Sequence, residues 1–522
     1  MRTVRFIGGL LTGLIALALA VTLFVYWFGF ATDMAAVSGL GTLGYLFLWL
    51  AFGANLLLWT FVGLLRVGDD SVRAMARRSR RDRALEERTP LRVLVGSGGG
   101  GTAVAESDEA GRGGDLQELA VEEGSPQVPE EGSPQIPEED SADSGTEAIS
   151  LAVIIPAHNE EPVISGAISS AMSLFNRWDI YVVSDSSKDS TAEIAAQSGV
   201  NVLELLNNRG KAGAIEAVIE EFELTDNYDG VVILDADTEL DAGYVEGARR
   251  QLTDPSVAAV AGFVVSEWKP RERTFVGRMI SAYRDRLYFM LQYFLRFGQT
   301  WRYANVSFIV PGFASVYRSR ALKEIDVNPK GLVIEDFNMT FEVHHKRLGR
   351  ISMEPDTKAY SQDPFTLGDY YKQVSRWTLG FWQTVRRHRM WPSLFWVFLS
   401  LYILEVVLVS LLLLVTSVVG LFVLAGTVGG EPVLSLPFFG EVWTAVTAFL
   451  PLLALGIGLF IPDYMLTCLM AAIRRRPSYL LYGLLFFPIR LVDAYLTLRM
   501  IPKAWTTESD GRWSSPDRGA AK

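Results

Sequence analysis

Long apolar runs at both ends of this 522-residue chain constrain its fold more than any other feature. The hydrocarbon core of a bilayer is about 30 Å thick and needs roughly 20 apolar residues in a helix. Four runs reach that length, namely Ile7–Phe30, Gly39–Leu65, Leu394–Leu424 and Trp443–Ile473. The sequence therefore predicts a membrane protein with spans on both sides of a globular centre.

A fifth apolar run, Tyr479–Met500, contains two charged residues, Arg490 and Asp493. They lie three residues apart and so share one face of a helix, where they could pair inside the bilayer. An interfacial helix is the alternative interpretation, and we favour a third C-terminal span.

Arginine clusters indicate the orientation of these spans. Seven arginines lie between Arg66 and Arg83, directly after the second run, and Arg474–Arg476 follow the fourth. Loops rich in Lys and Arg stay on the cytoplasmic side of a membrane. We therefore expect a multi-pass plasma membrane protein whose central domain is cytoplasmic.

The chain between the spans divides into a linker and a globular domain. Glu106–Glu147 is rich in Glu, Asp, Gly, Ser and Pro and contains a near-tandem repeat, a composition typical of a disordered tether. Much of the net charge of −11 lies there, so the charge says little about partners, and we expect no nucleic-acid partner. The predicted organisation is residues 1–65, two transmembrane helices; 66–149, a basic then acidic disordered linker; 150–390, the globular domain; 391–500, about three transmembrane helices; and 501–522, a tail.

Short apolar runs alternate with helical segments from Leu151 onward. The predicted strands are Leu151–Pro156, Ile180–Val183, Asn201–Leu203 and Gly230–Leu234. Continuous apolar strands separated by helices are typical of a doubly wound, Rossmann-type α/β sheet, whose ligands bind at the carboxyl ends of the strands.

Candidate donor-binding residues follow these strands. Asp235 and Asp237 come directly after the fourth strand and could both face one hard cation such as Mg²⁺, although a solvated turn has the same pattern. Lys211 precedes a predicted helix and could bring its charge to a phosphate, or it could be an ordinary surface lysine.

Two later motifs could supply acid–base chemistry and sugar binding. Asp336, next to Glu335, could be a general base or the cap of the helix that follows. Gln373, Arg376 and Trp377 are spaced to share one helical face, which suits a diphosphate and a sugar ring, or an aromatic belt at the membrane surface.

Phe275–Phe297 is predicted to be helical, with four arginines interleaved among aromatic and aliphatic residues. It could lie at the membrane surface or pack within the soluble core.

Taken in order, these motifs resemble membrane-bound glycosyltransferase family 2. They are Ile154-Ile-Pro156-Ala-His-Asn159-Glu160, Val183-Ser-Asp185, Lys211, Asp235-Ala-Asp237, Glu335-Asp336 and Gln373-Val-Ser-Arg376-Trp377. The likeness is greatest to the poly-N-acetylglucosamine synthase branch, with cellulose, hyaluronan and chitin synthases as relatives. It implies a GT-A-like cytoplasmic domain inserted between N- and C-terminal transmembrane helices.

The resemblance also implies roles for individual residues. The donor, a UDP-sugar with UDP-N-acetylglucosamine as the best candidate, would bind at Pro156, Asn159, Glu160, Asp185, Lys211, Asp235 and Asp237. Asp235 and Asp237 would hold Mg²⁺ or Mn²⁺. Asp336 would be the base of an inverting transfer, beside Glu335. Gln373, Arg376, Trp377, Gly312 and Phe313 would contact the diphosphate and the acceptor, with Arg318 close behind.

Two residues depart from the family pattern, and several alternatives stay open. Ser184 stands where relatives often have a second Asp, and Ile334 where Thr is frequent. The resemblance implies a processive synthase that extends a β-linked polysaccharide and exports it, with the growing glycan as acceptor. The alternative is an enzyme that adds one sugar to a lipid acceptor. A non-catalytic scaffold is a third reading, while the lack of a Walker loop disfavours a transporter with a nucleotide-binding domain. Membrane lipid is an expected partner, and an accessory membrane subunit is left open.

Overall fold

The computed structural model describes residues 2–36, 53–87, 149–450, 452–509 and 511. The predicted acidic linker and much of the second apolar run lie outside these residues. The chain forms two compact units, residues 1–70 with 148–522, and residues 71–147. Of the second unit, residues 71–87 are described, and they are helical, so the prediction of disorder is wrong for this part of the linker.

Within the described residues, ten strands form two sheets. The strands are β1 (Leu151–Ala157), β2 (Ile180–Asp185), β3 (Asn201–Leu205), β4 (Gly230–Leu234), β5 (Thr238–Leu240), β6 (Val257–Val260), β7 (Phe263–Ser266), β8 (Ala314–Arg318), β9 (Arg350–Ser352) and β10 (Lys358–Ser361).

The helices fall into two groups along the chain. Those up to the end of the α/β domain are α1 (Arg2–Ala36), α2 (Ala54–Glu87), α3 (Ile164–Met172), α4 (Thr191–Gln197), α5 (Gly210–Glu221), α6 (Leu224–Asn227), α7 (Tyr244–Leu252), α8 (Phe275–Met290), α9 (Phe297–Gln299), α10 (Ser319–Leu322), α11 (Asp336–His345) and α12 (Leu367–His388). A 3₁₀ turn covers Arg177–Asp179 and a π-helical segment covers Leu291–Arg296. The C-terminal helices are α13 (Leu394–Gly429), α14 (Glu431–Leu434), α15 (Phe439–Phe449), α16 (Leu452–Arg474), α17 (Ser478–Gly483) and α18 (Phe486–Thr506).

The larger sheet has the strand order β3-β2-β1-β4-β8-β6-β9. The four predicted strands, β1 to β4, are parallel neighbours, and β8 joins β4 in antiparallel register. The carboxyl ends of β1, β2 and β4 therefore meet at one edge, which is where the predicted polar motifs follow the strands. The doubly wound α/β prediction is confirmed.

Each face of this sheet is covered by its own apolar layer. Val153 and Ile155 of β1 pack with helices α3 and α7 on one face, whereas Ala152 and Ile154 pack with α5 and α11 on the other. Side chains alternate between the two faces along a strand, so a strand buried on both sides must be apolar throughout. This explains the continuous apolar run that begins at Leu151.

Three helical segments among the described residues are long and apolar enough to cross a membrane. They are Leu11–Asp33, Leu394–Gly429 and Gly456–Arg474. The first packs closely against α16. The run predicted as one span at Trp443–Ile473 is instead two helices, because α15 ends at Phe449 and α16 begins at Leu452.

The final apolar run is also divided, since α17 ends at Gly483 and α18 begins at Phe486. The pairing of Arg490 with Asp493 is wrong. Arg490 donates to Asp463 Oδ1 at 3.0 Å, and Asp493 accepts hydrogen bonds from the hydroxyls of two tyrosines on other helices. Other elements supply these partners, which the spacing within one helix could not reveal.

Helix α8 connects the α/β domain to the C-terminal helices through buried ion pairs. Arg286 Nη1 lies 3.0 Å from Asp463 Oδ1 and donates to Thr467 Oγ1 at 3.1 Å. The preceding residue, Asp285, accepts from Arg474 at 2.6 Å and from the Tyr479 hydroxyl at 2.8 Å. The helix thus packs between the two parts of the chain rather than on an outer surface.

Asp463→Asn tests this connection. The substitution leaves Arg286 and Arg490 buried without their shared carboxylate, and removing one partner of a buried ion pair costs about 3–5 kcal/mol. We expect a clear fall in the Tm of the protein in detergent. Glu431→Gln, at an exposed carboxylate, is the matched control and should melt like wild type. Equal Tm values for all three proteins would contradict the role of the cluster.

Candidate active site

A cavity of about 840 Å³ opens at the carboxyl edge of the large sheet. It is lined by most of the residues that the sequence singled out, from six separate parts of the chain. These are Glu160, Lys211, Asp235, Asp237, Gly312, Phe313, Glu335, Asp336, Gln373, Arg376 and Trp377.

The ammonium of Lys211 lies at the centre of the acidic part of this cavity. Its Nζ is 2.8 Å from Asp235 Oδ1 and 2.9 Å from Glu335 Oε1, and it donates to the Gly312 carbonyl at 2.9 Å. One cation therefore joins the end of β4, the loop before β8 and the start of α11.

Gly312 allows these groups to come together. A Cβ atom there would lie 3.2 Å from Asp336 Cβ, 3.2 Å from Lys211 Nζ and 3.4 Å from Glu335 Oε1. The Gly312 N–H donates to Asp336 Oδ2 at 3.3 Å, and the Phe337 N–H donates to Asp336 Oδ1 at 2.7 Å. The loop thus positions the Asp336 carboxylate with backbone donors.

The pKa values of the two adjacent acids, Glu335 and Asp336, are shifted in opposite directions. Burial and the neighbouring Glu335 charge raise the pKa of Asp336 to about 7, against the attraction of Lys211. Burial alone would raise the pKa of Glu335, but the ion pair with Lys211 lowers it below its usual value. Asp336 can therefore exchange a proton near neutral pH, while Glu335 stays charged.

Asp185 lies beside the cavity and not in its wall. It is fully buried, and its two carboxylate oxygens accept from the backbone N–H groups of Arg209 at 2.7 Å and Gly210 at 2.8 Å. Burial raises its pKa despite these donors. Asp185 holds the start of α5, which carries Lys211. Its predicted contact with the uracil base stays a prediction.

Pro156 and Asn159 are likewise outside the lining. Pro156 is buried within β1, opposite Val183 of β2. Asn159 has a positive φ of 53°, and its Oδ1 accepts from the Lys188 N–H at 2.8 Å. Both residues shape the loop that leads to Glu160, which does line the cavity.

Gln373 and Trp377 are joined by a residue that the sequence analysis did not single out. Arg284 Nη1 donates to Gln373 Oε1 at 2.5 Å, and the Arg284 guanidinium lies 4.7 Å from the centre of the Trp377 ring. It also forms a 3.0 Å ion pair with Asp363, which accepts from Ser266. The sequence signal for Arg284 was an arginine among the apolar residues of the 275–297 segment. No sequence signal indicated Asp363.

Arg318 does not lie near the acceptor residues, and its predicted position is wrong. Its guanidinium donates to the carbonyls of Val257 at 2.8 Å and Leu252 at 2.5 Å. Arg318 pairs with Gly230 at the start of β4, whereas the cavity is at the other end of that strand. Five residues of extended chain separate the two ends, which proximity in sequence to Gly312 obscured.

Asp235 and Asp237 suit a divalent cation. Both line the cavity, and burial together with the charge of Asp237 raises the pKa of Asp235, although Lys211 opposes the rise. Among the described residues no three His, Cys, Asp or Glu side chains form a cluster for a metal. Two carboxylates are nonetheless enough for Mg²⁺ or Mn²⁺ when substrate phosphates complete the coordination.

The cavity reaches the C-terminal helices at its other end. Tyr402 and Val406 of α13 and Thr497 of α18 line it there, together with Arg296 and Gln299. Burial lowers the pKa of Arg296 to about 10, which leaves the guanidinium charged at neutral pH.

Comparison with known proteins shows similarity to glycosyltransferases. Residues 230–487 match the sequence profile described as glycosyl transferase family group 2. A poly-beta-1,6-N-acetyl-D-glucosamine synthase of Staphylococcus epidermidis is 24% identical over 389 residues, covering 71% of this chain and 87% of that protein. The Staphylococcus aureus enzyme of the same name is 27% identical over 243 residues, covering 45% of this chain and 55% of that protein.

Solved structures show more distant similarity. The mannosyltransferase PcManGT from Pyrobaculum calidifontis, in complex with GDP-Man and Mn²⁺, has a TM-score of 0.41 and 17% identity over 63% of this chain and 89% of its own. Glucosyl-3-phosphoglycerate synthase from Mycobacterium tuberculosis, with Mn²⁺, UDP and phosphoglyceric acid, has a TM-score of 0.31 and 16% identity over 47% of this chain and 80% of its own.

Gly312→Ala tests the close approach at the centre of the cavity. The added methyl group would move Lys211 or Asp336 by a few tenths of an ångström. Misplacing reacting groups by about 1 Å can cost on the order of 100-fold in rate, so we expect this smaller shift to lower sugar transfer severalfold with little change in Tm. Gly368→Ala is the control, because its Cβ would meet only Thr366 Oγ1 at 3.6 Å. Normal transfer by Gly312→Ala would contradict this packing.

Proposed function

We propose that this chain, a nucleotide-sugar-dependent membrane glycosyltransferase with a family 2 domain, extends a β-linked polysaccharide from UDP-N-acetylglucosamine. The observation that carries the proposal is the single cavity that runs from the acidic strand ends to helices α13 and α18. A donor at the acids and a polymer leaving between the helices would both fit this cavity. The relatives' names supply the sugar.

Asp336 is the general base in this proposal. The acceptor hydroxyl gives its proton to the Asp336 carboxylate while its oxygen attacks the anomeric carbon of the donor sugar. The bond from that carbon to the diphosphate oxygen breaks, and the configuration inverts. Backbone donors from Gly312 and Phe337 hold the carboxylate in place, and its pKa of about 7 suits proton transfer at neutral pH.

The leaving diphosphate gains negative charge as the bond breaks, and it needs cations nearby. Lys211 and Arg376 line the cavity and would face it. A divalent cation bound by Asp235 and Asp237 would supply further charge neutralisation. Arg284 keeps Gln373 and Trp377 in position, so the amide and the ring are ready for the acceptor sugar.

The direction of export follows from the predicted orientation. If the arginine clusters face the cytoplasm, the α/β domain takes its donor from that side, and a chain growing toward α13 and α18 leaves through the membrane. We place the protein in the plasma membrane on this basis.

Membranes bearing the protein, incubated with radiolabelled UDP-sugars and Mg²⁺ or Mn²⁺, test the proposal. We expect label from UDP-N-acetylglucosamine in high-molecular-weight product, with none in Asp336→Asn or in the presence of a chelator. Glu431→Gln, at an exposed carboxylate, should match wild type.

Three other results of that experiment would count against the proposal. Label in a small, solvent-extractable lipid would indicate single addition to a lipid acceptor. Polymer made from a different UDP-sugar would show that N-acetylglucosamine is not the sugar transferred. Full turnover by Asp336→Asn would exclude that residue as the base.

The pH dependence of transfer tests the pair of acids. The base must be ionised, so kcat/KM should fall about tenfold per pH unit below the Asp336 pKa of about 7. Glu335→Gln removes a neighbouring negative charge, which lowers the pKa of Asp336 and should move the acidic limb to lower pH. If the acidic limb of the kcat/KM profile stayed at the same pH in Glu335→Gln, a group other than Asp336 would control that limb.

A further inference from the structure

The membrane end of the cavity contains a buried amide without partners. Gln299 is completely buried and lines the cavity, yet neither its side-chain nitrogen nor its oxygen has a hydrogen-bond partner among the described residues. A buried polar group left unsatisfied costs about 1–3 kcal/mol. Such a group in a cavity wall indicates a ligand that completes its hydrogen bonds.

Arg296, three residues earlier, lines the same cavity and is half-buried. Within the described part of the chain, no hydrogen bond or ion pair engages its guanidinium, although it lines the cavity. Arg284 is different, because it forms an ion pair with Asp363 and donates a hydrogen bond to Gln373. Arg296 ends the π-helical segment Leu291–Arg296, and π turns of this kind occur often at functional sites.

The surroundings of these two residues suit a neutral sugar unit. Leu295, Phe308 and Tyr402 line the same part of the cavity and offer apolar and aromatic faces to a sugar ring. The guanidinium can donate to hydroxyl or acetamido oxygens, and the Gln299 amide can both donate and accept.

Asp336 is the one acid of the cavity lining whose charge acts on Arg296, so a cationic sugar unit would find little counter-charge there. The acids of the lining are Glu160, Asp235, Asp237, Glu335 and Asp336. They come from the strand ends and the start of α11. Neither the segment 275–299 nor helix α13 contributes an acid to the lining. A protonated amine on the sugar would therefore meet Arg296 in a poorly hydrated space, where like charges repel strongly.

We propose that Arg296 and Gln299 form an acceptor subsite behind the terminal sugar, which binds N-acetylated units and rejects units with a free, protonated amine. The proposal rests on the proposed function, because it assumes an amino-sugar polymer in the cavity. It adds a selection step, since the enzyme would hold its product only while the acetyl groups are present.

Oligosaccharide binding without donor tests the subsite. The full-length protein in detergent is titrated calorimetrically, at pH 6, with a β-1,6-linked N-acetylglucosamine pentasaccharide and with its fully de-N-acetylated form. We expect wild type to bind the acetylated form at least tenfold more tightly. Arg296→Gln should weaken binding of the acetylated form about tenfold and remove most of the discrimination, because a charged hydrogen bond and the repulsion are both lost.

Two further variants separate charge from geometry. Arg296→Lys keeps the charge, so it should still reject the amine form while binding the acetylated form more weakly than wild type. Gln299→Leu should weaken binding but keep the discrimination, since Arg296 remains. Arg302→Gln is the matched control, because Arg302 is exposed and outside the cavity lining, and it should bind like wild type.

Equal affinity of wild type for the two oligosaccharides, no binding of either, or unchanged binding by a folded Arg296→Gln would overturn the subsite. Polymer synthesis from UDP-N-acetylglucosamine is measured separately on the same preparations. A wild type that binds the acetylated oligosaccharide selectively but makes no polymer would contradict the proposed function and support the subsite. Polymer synthesis together with equal binding of the two oligosaccharides would support the proposed function and contradict the subsite.

Discussion

The rest of the site depends on the contacts that the Lys211 ammonium makes. It lies between Asp235 at the end of β4 and Glu335 before α11, and it also bonds the Gly312 carbonyl. Without that cation, the carboxylates around one cavity would repel each other, and the elements that carry them would have no common partner. Asp185 supports the position of Lys211, because its carboxylate accepts hydrogen bonds from the two backbone N–H groups that precede this residue. The electrostatics of the cavity are therefore built from strand ends and helix starts that meet at one edge of the sheet.

Much of the sheet and of the acidic part of the site could be predicted from sequence, because these features depend on residues that are close together in the chain. An apolar strand buried on both faces has a continuous signature, and polar residues directly after it must lie at its carboxyl edge. Asp235 and Asp237 were found in this way, whereas Lys211 was singled out because it precedes a predicted helix. Asp185 was found too, but the pattern could not show whether its carboxylate faces the cavity or the backbone. That choice depends on where the start of α5 packs against β2.

Contacts between distant parts of the chain were beyond sequence reasoning. Arg284 and Asp363 meet only because α8 and the loop after β10 fold together, and no spacing rule joins them. The pattern of the 275–297 segment suits both a membrane surface and a protein core, and the structure places it between two parts of the chain. Within the C-terminal helices, Arg490 and Asp493 take partners from other helices for the same reason.

Three consecutive residues of α8 point in three directions. Arg284 holds Gln373, Asp285 binds Arg474, and Arg286 binds Asp463. Successive side chains on a helix are about 100° apart. One turn of α8 therefore contacts the cavity wall through Arg284 and helix α16 through Asp285 and Arg286. Lipids that differ in acyl-chain length impose different tilts on a spanning helix. We expect a tilt of α16 to be transmitted through that turn to Gln373 and Trp377, so that the rate of sugar transfer would depend on the thickness of the surrounding bilayer.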